Sequence, residues 1–116
     1  MNRSVCDRTK AFALRVIHLC SALPRTNVAG VMGRQLLRSG TSVGANSREA
    51  FRARSTAEAI SKVEIAIQEL DETMYWIELL VDAEIISGKR IEPLLGEADE
   101  LMAILVTSVK TMKRRR

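Results

Sequence analysis

Residues 55–81, STAEAISKVEIAIQELDETMYWIELLV, decide the fold of this chain. Ser55 and Glu58 form the S-x-x-E pattern of a capping box, in which two side chains satisfy free backbone N–H groups at a helix start. Apolar residues then recur at alternating intervals of three and four: Ile60, Val63, Ile67, Leu70, Met74, Ile77 and Val81. This heptad spacing predicts a long helix packed against partner helices. Gly88 is predicted to end that helix in the left-handed conformation.

Three further amphipathic segments flank this helix. The predicted helices cover approximately residues 4–23, 27–52, 55–87 and 91–113. Pro24 ends the first helix, Asn27 is a plausible cap for the second, and Pro93 is expected in the first turn of the fourth. Gly40 and Gly44 lie one turn apart inside the second helix, so we expect another helix to approach its backbone closely there.

The fold class follows from these helices and their short connections. No stretch alternates with the period of two that is typical of a strand. Four amphipathic helices joined by short links predict an all-α, antiparallel, up-down four-helix bundle as one domain over residues 1–116. A long helical hairpin is the alternative, and four separate helix starts argue against it.

Composition limits the cellular setting and the chemistry of the cysteines. The chain is 47% hydrophobic and only 3% aromatic, and no apolar run approaches the ~20 residues of a membrane span. The N-terminal residues, MNRSVCDRTK, do not resemble a secretory signal, so a cytoplasmic location without membrane partners is expected. Cys6 and Cys20 would lie roughly 21 Å apart in one helix, too far for a disulfide. Without a CxxC pair, they are interpreted as small core residues.

Charge divides the chain into blocks. Residues 1–54 carry ten Lys or Arg and two acidic residues, whereas residues 55–109 carry three basic and twelve acidic residues. Residues 110–116, KTMKRRR, are basic again. Opposite charges on one chain favour head-to-tail contacts between copies, which form rings when they close. The same charges could instead pair inside the bundle, between the second and third helices.

Two basic clusters are candidates for binding RNA or DNA through backbone phosphates. Their residues are Arg48, Arg52, Arg54, Lys110, Lys113, Arg114, Arg115 and Arg116. Such clusters can also be simply solvated. Because aromatic residues do not interleave with them, stacking on single strands is not expected. Binding through these residues would be electrostatic and sensitive to salt.

Catalytic motifs are weak in this chain. Gly40-Thr41-Ser42-Val43-Gly44 matches G-x-S-x-G, but a nucleophile elbow needs a strand before a sharp turn, and here the motif lies in a helical pattern. His18 has no carboxylate at helical spacing to prepare it as a base. The Glu-x-x-His pairs of di-metal bundles are missing as well. We therefore expect no enzyme activity, no catalytic residues, no metal and no cofactor.

Polar residues near the apolar stripes form a third candidate group. Ser39 and Asn46 occupy stripe positions of the second helix, where burial of an unpaired polar group would be costly. The group comprises Arg38, Ser39, Ser42, Asn46, Glu49, Glu69, Glu72 and Tyr75. A buried or interfacial network that fixes helix register is the first interpretation. A ligand-binding site is the second, and simple surface exposure is the third.

Long motifs in the second and third helices resemble those of a known family. Residues 35–46, QLLRSGTSVGAN, followed by Glu49-Ala50, and residues 69–80, ELDETMYWIELL, are similar to two signatures of the 23S rRNA intervening-sequence protein family. Residues 12–16 and 109–111 are also similar. Ser47 departs from the pattern, since an apolar residue commonly follows the Asn in that family.

The resemblance implies a four-helix bundle that assembles as a ring-shaped homopentamer. Some members are encoded inside insertions of ribosomal RNA genes. Related bundles are accessory proteins of reverse transcriptases in diversity-generating retroelements, where a basic pentamer associates with RNA and the polymerase. The expected partners are thus further copies of the chain, RNA or DNA, and a reverse transcriptase. A structural oligomer whose partner is another protein is the alternative.

Overall fold

The computed structural model describes residues 1–115, which form four α-helices. Their bounds are α1 Arg3–Ser21, α2 Asn27–Phe51, α3 Thr56–Asp82 and α4 Gly88–Arg115. Consecutive helices pack together and α4 returns to α1, while the backbones of the diagonal pairs do not approach closely within these residues. The result is an up-down, antiparallel bundle with extents of 47 × 21 × 19 Å. The predicted all-α four-helix fold is confirmed.

Short polar side chains begin the first three helices. The side chains of Asn2, Thr26 and Ser55 each accept a hydrogen bond from the backbone N–H three positions later in the chain. Thr26, and not the predicted Asn27, is therefore the cap of α2. The Glu58 carboxylate accepts from the Arg54 N–H at 3.2 Å, so it covers the residue before the Ser55 cap. Each cap satisfies a backbone donor that the helix itself leaves free.

Helix α3 ends at Asp82, earlier than the predicted 87, and Glu84 rather than Gly88 adopts the left-handed conformation, with φ 59°. The Ile85 N–H donates to the Leu80 carbonyl and the Glu84 N–H to the Val81 carbonyl, both at 2.9 Å. These two bonds form a Schellman motif. The early end has a packing reason, because it turns Ile85 and Ile86 back onto the core.

Helix α4 begins at Gly88, three residues before the predicted start. Gly88 therefore opens α4 and does not close α3. Pro93 lies inside the helix, in its second turn, instead of the predicted first turn. A proline there cannot donate the backbone hydrogen bond to the carbonyl four residues earlier.

One hydrophobic core runs through all four helices. Its fully buried large residues are Phe12, Val16, Leu36, Val43, Val63, Leu70, Ile77, Leu80, Leu101 and Leu105. Of the predicted α3 seam, Ile67, Met74 and Val81 are only partly buried, while Ala66, Thr73 and Leu80 take inner positions. The seam is displaced because α3 packs against both α2 and α4, so its buried arc lies between the two neighbours.

Helices α1 and α2 approach closely at the two predicted glycines. A Cβ atom at Gly40 would lie 2.7 Å from Val16 Cγ1, and one at Gly44 would lie 3.2 Å from the Thr9 carbonyl oxygen. The prediction of close packing at Gly40 and Gly44 is confirmed. Ser47 is fully buried between these helices and donates to the Val43 carbonyl at 2.8 Å.

The two cysteines lie along this same interface and are free thiols. Cys6 Sγ lies 3.7 Å from the Ser47 carbonyl oxygen, and Cys20 Sγ lies 3.4 Å from the Gly33 carbonyl oxygen. Both are partly buried, and burial raises the pKa of each thiol above its usual value. A raised pKa lowers the thiolate fraction, so packing between α1 and α2 makes both thiols less reactive.

Candidate nucleic-acid interface and the polar contacts between α2 and α3

The two predicted basic clusters lie at the same end of the bundle. Arg48 and Arg52 lie at the end of α2, and Arg54 follows in the link to α3; all three are exposed. The last turns of α4 carry exposed Lys110, Lys113, Arg114 and Arg115. Arg54 and Arg115 line one shallow depression, which shows that the clusters are neighbours. Arg116, also predicted to bind nucleic acid, lies outside the described residues. This surface is called the basic end below.

The beginning of α1 adds two cations that sequence reasoning missed. Arg3 and Lys10 line a cleft of about 560 Å³ between α1 and α2, together with Arg48 and Arg52. Asp7 is the one carboxylate in this lining. The antiparallel topology could have predicted these two residues, because the start of α1 must lie beside the end of α2 in an antiparallel pair.

Few cations of the basic end are neutralised by neighbours. Lys113 pairs with Glu64 at 3.2 Å. Within residues 1–115, the other basic side chains of this end take part in no ion pair; they are Arg3, Lys10, Arg48, Arg52, Arg54, Lys110, Arg114 and Arg115. The end therefore presents a concentrated positive potential to solvent.

Across the middle of the bundle, Arg38 on α2 bridges two carboxylates of α3. Its guanidinium donates to Glu69 at 3.2 Å and to Glu72. Glu72 also accepts from the indole Nε1 of Trp76 at 3.2 Å. The Arg38 hydrogen bond, and then that of Trp76, lowers the pKa of Glu72 below its usual value. The same bond to Glu72 raises the pKa of Arg38.

Beneath this ion pair, two fully buried hydroxyls meet. Thr73 Oγ1 donates to Ser39 Oγ at 2.9 Å and also lies 2.7 Å from the Glu69 carbonyl oxygen. Ser39 Oγ donates to the Leu36 carbonyl at 3.3 Å. Every buried polar atom of the described side chains has a partner. A sliding of α2 along α3 would break this interhelical bond, although each hydroxyl has a carbonyl partner within its own helix.

The side chains of the remaining members of the predicted polar group make no hydrogen bond to the described side chains of this cluster, although the Tyr75 ring centroid lies 5.6 Å from that of Trp76. Ser42 Oγ donates to the Arg38 carbonyl at 2.7 Å, and Asn46 Nδ2 donates to the Ser42 carbonyl at 2.9 Å, both within α2. Glu49 pairs with Lys62 at 3.2 Å. Tyr75 is 54% exposed. The structure thus brings together Arg38, Ser39, Glu69 and Glu72, and adds Thr73 and Trp76, which sequence reasoning missed.

The catalytic interpretation of the G-x-S-x-G motif has no structural basis. Residues 40–44 lie inside the uninterrupted helix α2, and the Ser42 hydroxyl donates to a carbonyl of its own helix. His18 lies in the last turn of α1 and lines a cavity between α1 and α4. Within the described chain, no group of three or more metal-ligating side chains comes together. Among the described helices, none has the length and hydropathy needed to cross a bilayer.

Residues 1–107 match the family described as 23S rRNA-intervening sequence protein. The chain belongs to this family. A crystal structure of a protein of unknown function from the S23 ribosomal protein family of Bacteroides thetaiotaomicron VPI-5482 is 40% identical in sequence. The two superpose with a TM-score of 0.86 over 91% of this chain and 98% of that one. No curated protein matches this chain.

The family assignment agrees with the motifs of α2 and α3 and supports the bundle fold. The solved relative is described as having unknown function, so the likeness brings no ligand, reaction or partner with it. The 23S rRNA-intervening sequence proteins are not a known enzyme family. The function of this member depends on its own surfaces.

Proposed function

We propose that this protein is a non-catalytic homo-oligomer that binds RNA or DNA through phosphate contacts at its basic end and presents it to a partner enzyme such as a reverse transcriptase. The observation that carries the proposal is the convergence of three separated segments at that end. The start of α1, the end of α2 and the end of α4 each contribute exposed cations. Neutralisation of several phosphates at once is what gives a protein substantial affinity for nucleic acid.

The shape and chemistry of the basic end favour recognition of the phosphate backbone over recognition of bases. Its cations are long, exposed side chains that can adapt to phosphates at varying spacing. Phe51, which is 46% exposed, is the one aromatic residue lining the cleft between α1 and α2. A series of stacked bases needs several aromatic platforms. We therefore expect salt-sensitive binding with little preference for sequence.

Self-association is supported by apolar residues on the outside of the bundle. Most of the exposed large apolar side chains belong to α1 and α2: Leu14, Ile17, Val28, Val31, Leu37 and Phe51. Large apolar side chains exposed on two helices that pack against each other offer apolar surface for a second copy of the chain. The head-to-tail charge argument is weaker than the sequence implied, because Arg38 and Glu49 already pair with α3 inside the protomer.

The rival hypothesis is a structural oligomer whose partner is another protein. The same apolar surface on α1 and α2 favours it. It differs from the first proposal in leaving the basic end without a phosphate ligand, so nucleic-acid binding separates the two.

The first part of the test compares two triple variants with equal loss of charge. Arg48→Gln, Arg52→Gln and Arg114→Gln remove three cations of the basic end, whereas Arg25→Gln, Arg34→Gln and Lys89→Gln remove three exposed cations toward the other end. Fluorescence anisotropy with a short structured RNA and a duplex DNA is measured at several salt concentrations. Each lost phosphate contact reduces the magnitude of the slope of log K against log salt by about 0.9. The slope of the basic-end variant should therefore be smaller in magnitude by about 2.7 than that of the unmodified protein.

The control variant should keep the slope of the unmodified protein. Equal losses in both variants would show that net charge alone is responsible, and salt-independent binding would refute the proposal. Light scattering coupled to size exclusion tests self-association separately, and a monomer at all concentrations would exclude the homo-oligomer. An oligomer that ignores both nucleic acids would favour the protein-partner hypothesis.

A further inference from the structure

A cavity of about 470 Å³ lies at the end of the bundle opposite the basic end, between the close of α1 and the beginning of α4. Of the four adjacent helix pairs, the backbones of α1 and α4 approach each other closely over the shortest stretch. An ion pair between Arg8 and Glu97, with bonds of 2.5 and 3.2 Å, crosses this interface beside the apolar core. Arg15 and Arg90, which line the cavity, lie several residues beyond that ion pair along α1 and α4. The cavity thus opens where no ion pair of the described residues holds the two helices.

The walls of this cavity are apolar and its rim is cationic. Leu19, Ile86, Ile91 and Leu94 contribute to the apolar part. Arg15, His18 and Arg90 supply the charged and titratable groups, and no acidic residue is among the lining residues. Within the described chain these three side chains take part in no ion pair. Two arginines on a rim that carries no carboxylate make it positive and attract an anion.

The size and position of the cavity fit a small ligand. Binding sites for small molecules typically measure about 300–1,000 Å³ and combine an apolar lining with a few polar groups. Helix α4 begins beside the cavity at Gly88, and the free N–H groups of a helix start add to the positive potential there. Core residues Ile91 and Leu94, only 6% and 5% exposed, form the apolar floor of the cavity.

We propose that this cavity binds a small amphipathic anion, with its apolar body against Ile91 and Leu94 and its head group between Arg15 and Arg90. A carboxylate or a phosphate head satisfies this chemistry, since a guanidinium binds either in a forked geometry. The site is separate from the basic end and does not depend on nucleic-acid binding.

The first experiment measures binding of three probes with one apolar chain and different heads: octanoate, octyl phosphate and uncharged 1-octanol. Isothermal titration and amide chemical shifts of the isotope-labelled protein report affinity and location. We expect an anionic probe to bind at least fivefold more tightly than octanol. The reason is that one ion pair between the head group and an exposed arginine contributes about 1 kcal/mol, which corresponds to about fivefold in affinity. Shifted amides should include Leu19, Ile86 and Ile91. Octanol binding as tightly as both anions would overturn the proposal, as would no binding of any probe.

Variants locate the site. Arg90→Gln should weaken octanoate binding roughly fivefold and leave octanol binding unchanged. Ala22→Trp, at an exposed position of the cavity lining, should block both probes. Arg34→Gln removes an equal charge outside the cavity and should change neither. If Arg90→Gln altered self-association instead of probe binding, the occupant would be a second copy of the chain, and the small-molecule proposal would be wrong.

Discussion

Two chemically identical substitutions should change the stability of this protein in opposite directions. Gly40→Ala places a methyl group at the α1–α2 interface, 2.7 and 2.9 Å from the two Cγ atoms of Val16 and 3.1 Å from its Cβ. Gly96→Ala places the same group on the exposed side of α4, with nothing within 4 Å. Both positions lie inside helices, so the intrinsic preference of Ala over Gly is the same in each.

The magnitude follows from two opposing effects. Replacing Gly by Ala inside a helix stabilises it by about 1 kcal/mol. At Gly96 nothing opposes that gain, so the free energy of unfolding should rise by about 1 kcal/mol. At Gly40 the overlap includes Val16 Cβ, which no side-chain rotation can move away, and Val16 is fully buried. Overpacking of this kind costs about 1–3 kcal/mol. With the cost near its upper end, Gly40→Ala should lower stability by about 2 kcal/mol.

Thermal unfolding followed by circular dichroism measures both changes. A domain of this length shifts its Tm by about 4 °C per kcal/mol, so we expect about +4 °C for Gly96→Ala and about −8 °C for Gly40→Ala. All proteins are compared at one protomer concentration, because self-association stabilises the folded state. A Tm for Gly40→Ala above that of the unmodified protein would refute the close approach of α1 and α2.

The α3–α4 corner and the Arg38 cluster provide two further predictions. Glu84→Gly should stabilise the fold by roughly 1 kcal/mol, because a side chain in the left-handed conformation is strained; Glu84→Ala keeps the strain, and an equal gain from it in urea unfolding would contradict this account. The lowered pKa of Glu72 stabilises the fold above its ordinary pKa of 4.5, and this contribution is lost as pH falls below 4.5 through the lower folded value. Arg38→Gln should therefore reduce the loss of stability on acidification, and identical urea midpoint profiles against pH for both proteins would exclude the effect.

The helices were predictable from sequence because their signals are local. Ser55 caps α3 as its spacing to Glu58 implies. The end of α3 was not predictable from the same rules, since Gly88 satisfies the usual preference for a left-handed residue while Glu84 takes that role. Tertiary packing decides the matter: ending the helix at Asp82 lets Ile85 and Ile86 cover the core, and that burial outweighs the strain at Glu84.

Some of the polar contacts between α2 and α3 could likewise be predicted from sequence, and others could not. Arg38 and the pair Glu69 and Glu72 could be grouped from sequence, because residues three apart share one face of a helix. Thr73 could not, since a threonine inside a heptad pattern gives no sign that a buried hydroxyl faces it from the next helix. Its partner Ser39 was recognisable as an anomaly, but the identity of the partner depends on the α2–α3 register.

The distribution of charge gains a different meaning once the bundle is assembled. Along the chain, a basic half and an acidic half suggest contacts between copies. In the structure, the opposite charges of Arg38, Glu49 and Arg8 meet partners on neighbouring helices of the same protomer. These pairs occupy the sides of the bundle. Among the described residues, most of the unpaired cations lie where α1 begins and where α2 and α4 end, because antiparallel packing places those three termini together. A smaller set lies elsewhere, mainly toward the opposite end: Arg15, Arg25, Arg34, Lys89 and Arg90. Antiparallel packing thus leaves more unpaired positive charge at the basic end than at the other end, and on this ground we propose phosphate binding over charge-driven assembly.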